Sequence, residues 1–169
     1  MHNMKNNKKH KNFDKELNIL DFYDKFDENL ISFIKGHLFI ENAMNILLKQ
    51  LSIKTGNKTF HNKIILLHKN KKINDQIKSL LEKINNVRNK IAHNLYYQLT
   101  FDEMFELVKL SDEAEVIYSD DTIYENKTLS KEWYGVTGII NELFPNTFSH
   151  LFEINEDLFE EGEIYSYIC

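Results

Sequence analysis

Arg88 and His93 are the side chains in this chain whose types and spacing best suit chemistry on a phosphate. Arg88 is the only arginine, because the other twenty strongly basic residues of the 169 are lysines. A guanidinium is a planar fork that holds two phosphate or carboxylate oxygens at once, whereas a lysine ammonium is a point charge. Histidine exchanges a proton near neutral pH. Together the two residue types indicate work on a phosphodiester.

The spacing of the two residues supports this chemistry only in part. Positions five apart on a helix are separated by about 140°, so Arg88 and His93 flank a groove rather than stack. Asn89 and His93 are four apart and share a face. The alternative is that Arg88 forms a surface ion pair and His93 is a half-buried helix histidine. Spacing does not decide between the two readings.

The residues Arg88-Asn89, followed by Ala92-His93, resemble the R-x4-6-H motif of the HEPN superfamily in its frequent R-N-x-x-A-H form. The resemblance covers about residues 29–145 and implies a small all-helical domain. Many HEPN proteins are metal-independent ribonucleases of toxin–antitoxin, abortive-infection and CRISPR systems. Others are helical regulators or adaptors, including those of the mannitol-repressor type. The motif does not place this chain in either subgroup.

For this chain the resemblance implies that Arg88 and His93 are the catalytic pair. In the nuclease members two protomers bring two motifs face to face, which implies a homodimer with the motif at its interface. A polar residue on an earlier helix often packs against the pair, and Glu41 is the candidate here. A carboxylate beside Arg88 would fix the guanidinium or raise the basicity of His93.

Three neighbours of the pair have expected supporting roles. Asn89 would orient Arg88 and His93 by hydrogen bonding. Lys90 and Asn94 would add contacts to RNA phosphates or to the RNA backbone. We expect no metal. His37 with Glu41 has a ligand-like spacing but no evident third ligand, and His61 with His68, which share a face, are expected to be surface histidines. No sequence motif for another cofactor is present.

Composition limits the class of protein. The length suits one domain, and the single cysteine, Cys169, excludes an internal disulfide and fits a reducing cytoplasm. No apolar run approaches the ~20 residues that span a bilayer, so we expect no membrane association. One proline and five glycines favour helices over a turn-rich β protein.

Charge is segregated along the chain. Residues 49–93 hold ten lysines and Arg88 against two acids, a net charge of +9, whereas residues 94–169 hold three lysines against seventeen acids, a net charge of −14. A basic segment around the motif would attract RNA phosphates. The alternative is an ordinary solvated lysine-rich surface, and the overall charge of −5 argues against a generic nucleic-acid binder.

Apolar periodicity predicts an all-α, single-domain antiparallel helical bundle with two long core helices and flanking helices. Residues 1–12 are expected to be a flexible basic tail, and residues 13–145 the helical domain. The predicted helices span 13–26, 29–51, 59–69, 73–96, 100–116 and 129–144, with a polar loop at 119–126. Thr100 and Glu103 form a predicted capping box at the start of one of them.

The last predicted helix carries Gly135 and Gly138, which we expect to let another helix approach closely, and Pro145 is expected to end it. Residues 146–169 are acidic but keep many apolar side chains. We expect this segment to pack on the domain or on a partner as one short helix.

The sequence therefore predicts a cytoplasmic, metal-independent endoribonuclease of a defence or toxin–antitoxin type. Its expected partners are an RNA substrate, a second copy of the chain, and an antitoxin or another protein of the same operon. The rival is a non-catalytic helical regulator or adaptor that binds protein or nucleic acid. A DNA-binding repressor is weaker, because no distinct recognition helix follows a tight turn.

Overall fold

A computed structural model describes residues 27–94, 96–160 and 165–168. Within these ranges every regular element is a helix and no strand occurs, which confirms the predicted all-helical class. The expected basic tail at 1–12, the helix at 13–26 and Cys169 lie outside the described residues. The helices are α1 Glu28–Gln50, α2 Phe60–Lys69, α3 Asp75–His93, α4 Phe101–Glu113, α5 Thr122–Glu125, α6 Lys127–Trp133, α7 Gly135–Glu153, a 3₁₀ turn Glu156–Leu158 and α8 Tyr165–Ile168.

Local sequence signals start most of the longer helices. The side chain of the residue before the helix accepts a hydrogen bond from a backbone N–H of the first turn, which would otherwise lack a partner. The capping box is confirmed, since Thr100 Oγ1 accepts from the N–H of Glu103 at 3.3 Å. The residues that cap in this way are Asp27, Thr59, Asn74, Thr100 and Asn126.

The core is a single apolar cluster around α1, the helix whose most extensive packing is against α7. Gly36 on α1 makes this packing possible, because a Cβ placed there would lie 2.2 Å from the ring of Phe144 on α7. The predicted close approach at Gly135 and Gly138 is wrong. Gly135 has a φ of +57° and nothing within 4 Å of a built Cβ, and the nearest atom at Gly138 belongs to Tyr134 of the preceding turn.

The predicted helix 129–144 is interrupted once and extended once. It divides into α6 and α7 where Gly135 takes its left-handed conformation, a conformation that glycine adopts without a steric penalty. The expectation that Pro145 ends the helix is also wrong, because α7 runs through it to Glu153. A proline inside a helix costs roughly 3 kcal/mol. Here the proline is on the exposed face, and buried apolar side chains on both sides of it hold the helix together.

Residues beyond Pro145 contribute to the same core. Phe148, Leu151 and Phe152 on α7 are buried. Further on, the ring of Phe152 stacks on that of Tyr167 with centroids 5.5 Å apart. The chain between them is tied to the turn before α3, where Lys72 Nζ lies 2.6 Å from Asp157 Oδ2.

The motif helix α3 lies beside both α1 and α2. It runs antiparallel to α2, because His61 faces Glu82 and His68 faces Asp75 across the two helices. Its buried face is apolar and holds it in the core, so the polar residues of the motif fall on its flank and its last turn. The buried residues are Ile77, Leu80, Leu81, Ile84 and Val87.

None of the helices in the described ranges combines the length and the apolar character that crossing a lipid bilayer requires.

Candidate functional site

Arg88 is half-buried on the flank of α3. Its Nη1 donates a hydrogen bond to the neighbouring Asn89 Oδ1 at 3.2 Å. In residues 27–94, 96–160 and 165–168, no carboxylate forms an ion pair with Arg88. A guanidinium has five N–H donors, so most of this fork is open to an anion.

A buried histidine contacts α3 one helical turn before Arg88. His37 on α1 is 2% exposed, and its ring stacks on Phe60 of α2 with centroids 4.1 Å apart. Its Nε2 donates to Asn85 Oδ1 at 3.4 Å, one helical turn before Arg88 on α3. Burial lowers the pKa of His37 to about 4, and the positive charge of Arg88 adds to this lowering. At neutral pH the imidazole is therefore uncharged, and it does not repel the guanidinium.

This contact between α1 and α3 is not evident from the sequence. His37 and Asn85 are 48 residues apart, so no local spacing connects them. The available signal was that each is a polar residue beside the apolar stripe of a long helix. A buried polar side chain needs a hydrogen-bond partner. This rule indicates that each of the two residues requires a partner on another helix, but it does not say which residue that is.

Glu41, the residue expected to support the catalytic pair, pairs with a different cation. Its Oε1 accepts from Lys63 Nζ at 2.6 Å, and Lys63 is 5% exposed. A buried ammonium requires such a partner. The charges of Glu41 and Arg88 both act on His37, so the ion pair belongs to the same polar region without contacting the motif arginine.

His93 is the last residue of α3 and is exposed. No side chain in the described part of the chain forms a hydrogen bond or an ion pair with it. The helix ends there because Asn94 takes an extended conformation, with a φ of −132° and a ψ of 105°. Asn94 Oδ1 accepts from the N–H of Tyr96 at 3.1 Å. The imidazole is thus uncommitted and open to solvent.

No hydrogen bond joins Arg88 to His93 in the described structure. Five helical residues separate them by about 7.5 Å along the axis and about 140° around it. Asn89 lies between them and accepts a hydrogen bond from the guanidinium. No hydrogen bond joins Asn89 to His93 in the described structure. One copy of the chain presents a guanidinium fork and a separate imidazole.

Lys90, an expected RNA contact, is held by an acid of α4. Glu103 Oε1 accepts from Lys90 Nζ at 2.9 Å and from Tyr97 Oη at 2.6 Å. Although burial favours the protonated carboxyl, these hydrogen bonds lower the pKa of Glu103. The network fastens the last turn of α3 and the following loop to the start of α4. Lys90 is nevertheless about half-exposed.

The candidate metal ligands of the described residues do not come together in one place. Among the side chains that the structure describes, no three of His, Cys, Asp and Glu cluster as a metal ion would require. His61 and His68 each face an acid across α2 and α3 instead, at 3.9 Å from Glu82 and 2.9 Å from Asp75.

Comparison with known proteins gives a match to a family model. Neither the curated proteins nor the solved structures contain a match to this chain. The family model matches residues 38–132, which is just over half of the 169 residues. The matched region runs from α1 to α6 and includes Arg88 and His93. The chain belongs to the family described as "Domain of unknown function (DUF4145)".

Proposed function

We propose that this protein is a metal-independent endoribonuclease in which Arg88 and His93 act on one phosphodiester. The observation that carries the proposal is the half-buried Arg88 fork, which has Asn89 as a partner and no carboxylate in the described structure. A structural arginine in this position would be expected to have a counter-ion. An open guanidinium fits the charge that develops on a phosphoryl group during cleavage.

The proposed reaction needs only groups of the chain and the substrate. His93 takes the proton from a ribose 2′-OH, and the resulting oxygen forms a bond to the adjacent phosphorus. The bond from phosphorus to the 5′-oxygen breaks, and a second His93 or a water protonates the leaving oxygen. Arg88 stabilises the negative charge in the transition state. The products are a 2′,3′-cyclic phosphate and a 5′-hydroxyl.

A second copy of the chain completes this site in the proposal. Arg88 and His93 lie on different flanks of α3, so two motifs facing each other would place each fork near the partner's imidazole. The resemblance of Arg88-Asn89 and Ala92-His93 to the HEPN motif supports this arrangement and a role in defence or in a toxin–antitoxin pair. A partner protein encoded beside it would then act as antitoxin.

The first test is cleavage of total tRNA and mRNA by the purified protein in EDTA, with analysis of the product ends. Wild type is expected to leave cyclic phosphates. His93→Ala is expected to lower the rate by about 10²–10⁴-fold, because a general acid–base group is lost. Arg88→Ala is expected to lower it by about 10²–10³-fold, because a donor to the developing charge is lost.

Matched controls separate chemistry from surface effects. His61→Ala removes an exposed histidine of α2, and Lys69→Ala removes an exposed cation without an ion pair in the described structure; both should cleave like wild type. Equal cleavage by all variants would indicate a contaminating nuclease. If folded wild type cleaves none of these RNAs, the proposal is wrong.

A non-catalytic adaptor is the second candidate. It is favoured by exposed apolar side chains on α1, where Ile31 is 40% and Leu38 55% exposed. Exposed apolar surface of this kind marks protein interfaces. An adaptor would retain its partner in the Arg88→Ala and His93→Ala variants and lose it in Leu38→Asp. A nuclease would instead lose cleavage in Arg88→Ala and His93→Ala and keep it in Leu38→Asp.

A further inference from the structure

A groove with apolar and polar lining lies outside the motif region, between the C-terminal half of α1 and the loop that follows it. Its volume is about 730 Å³, and Asn42, Asn45 and Lys49 of α1 line one side. Ser52, Lys54 and Thr55 line the other. Pockets for small ligands have volumes of about 300–1,000 Å³, so the groove has room for a single nucleotide.

Asn45 has an unmet hydrogen-bond requirement at this groove. Its Oδ1 is buried and has no partner in the described structure. A buried acceptor left unpaired costs about 1–3 kcal/mol. Because the oxygen has no accessible surface, a donor on a ligand in the groove would reach it only after the carboxamide turns about its last bond. Asn42 presents a second carboxamide from the preceding turn.

Lys49 and Lys54 give the groove a positive charge. Neither forms an ion pair with an acid in residues 27–94, 96–160 or 165–168, and no acidic residue lines the groove. The contrast is a smaller groove of about 470 Å³ near the start of α4, where Lys127 Nζ lies 3.0 Å from Asp102 Oδ1. In the smaller groove the lysine and the aspartate neutralise each other, whereas in the larger groove Lys49 and Lys54 are available to an anion.

An apolar surface completes the groove. Ile46 on α1 and Ile53 in the loop are both half-buried and both line it. Aliphatic side chains accept the flat face of a nucleobase, carboxamides pair with its edge as donor and acceptor together, and ammonium groups bind its phosphate.

We infer that this groove binds a nucleotide unit, with the base against Ile46 and Ile53, its amino edge on Asn45, and its phosphate between Lys49 and Lys54. The unit is either a free nucleotide or one residue of an RNA strand. Binding here needs neither Arg88 nor His93, so the site stands apart from the proposed cleavage.

Isothermal titration tests the inference with AMP, CMP, GMP and UMP, with ribose 5-phosphate, and with a six-nucleotide 2′-O-methyl RNA. The methylated strand has no 2′-OH to attack, so it cannot be cut during the measurement. Asn45→Leu keeps the branched shape of the side chain and removes an unpaired oxygen, and Asn45→Ala is the smaller alternative if the bulkier leucine disturbs the fold. Either variant is expected to weaken binding by about tenfold. Lys49→Ala/Lys54→Ala should weaken it further and reduce its salt dependence.

Lys69→Ala/Lys71→Ala is the matched control, since it removes two exposed lysines outside the groove. If mononucleotides bind and only the groove variants weaken that binding, the ligand is a free nucleotide. If only the six-nucleotide RNA binds and the same variants weaken its binding, the ligand is one residue of an RNA strand. Equal binding of ribose 5-phosphate would overturn base recognition. Absence of binding, or binding that the groove variants leave unchanged, would overturn the site.

Discussion

His37 is a histidine whose surroundings keep it neutral. Packing against Phe60 and the hydrogen bond to Asn85 place its ring between three helices, and its buried Nδ1 has no partner in the described structure. A proton on this ring would be buried near the Arg88 guanidinium. His37 therefore packs against the flank of α3 at Asn85, one turn before Arg88, and its protonation should disturb that flank.

The stability of the fold should fall between about pH 6.5 and pH 4 because of His37. In the unfolded chain the pKa is 6.5, and in the folded protein it is lowered to about 4. The unfolded state therefore binds the proton first as pH falls, so stability is full above pH 6.5 and is lost towards pH 4. The difference corresponds to about 3 kcal/mol. Urea unfolding at several pH values measures it.

The comparison variant is His37→Gln, which keeps a hydrogen-bonding side chain but does not titrate. Its free energy of unfolding should depend less on pH over this range, even if it is lower at every pH. His61→Gln changes an exposed histidine and should follow wild type. A His37→Gln curve parallel to that of wild type would contradict the proposed cause.

At the scale of elements, the position of α3 depends on contacts at both of its flanks. His37 and Asn85 join it to α1, and Glu103 joins it to α4 through Lys90. The helix α1 is itself set by its close contact with α7 at Gly36. A shift of α7 against α1 would therefore also move the side chain that lies beside Arg88.

Gly36→Ala should destabilise the fold, although alanine is the better helix former. The added methyl would lie 2.2 Å from the Phe144 ring, so α1 and α7 would have to separate. Overpacking of this kind costs about 1–3 kcal/mol, against a gain of about 1 kcal/mol in helix propensity. Thermal or urea unfolding gives the net change.

A double-mutant cycle identifies the contact. Phe144→Leu removes the ring, so Gly36→Ala should cost less in that background than in wild type. Equal costs in the two backgrounds would mean that Phe144 does not oppose the methyl group.

At the scale of the whole molecule, folding redistributes the charge of the basic segment. Four of its ten lysines pair with acids from other parts of the chain: Lys63 with Glu41, Lys72 with Asp157, Lys83 with Glu106 and Lys90 with Glu103. The net charge of +9 along residues 49–93 therefore overstates the positive potential at the surface. Lys49 and Lys54 at the nucleotide groove pair with no acid in the described structure, so their positive charge is not neutralised.

The proposed dimer predicts complementation between inactive variants. If each site takes Arg88 from one protomer and His93 from its partner, mixed Arg88→Ala and His93→Ala proteins should regain activity. Half of the exchanged dimers are mixed and each has one intact pair, so recovery should reach about a quarter of the wild-type rate. RNA cleavage before and after subunit exchange measures it.

Subunit exchange itself must be verified, by sedimentation or by pull-down of differently tagged chains. Verified exchange without recovery would mean either that each pair acts within a single protomer or that cleavage also needs the second His93, which a mixed dimer lacks. A monomer at all concentrations would contradict the shared site.

The sequence by itself determined most of the longer helices and which of their faces are buried, although the predicted loop 119–126 contains α5. Caps such as Thr100 and the apolar stripes of α1 and α3 act over one or two helical turns, so local spacing reveals them. It also singled out Arg88 and His93, because a lone guanidinium near a histidine is visible in the chain itself.

Only the tertiary structure decided which partners those side chains have. His37 meets Asn85, Glu41 meets Lys63, and α7 continues through Pro145, because contacts between distant parts of the chain outweigh local preferences. A hydrogen bond or an ion pair depends on positions within a few tenths of an ångström. Those positions are set by how α1, α3 and α7 pack, which no spacing within one helix contains.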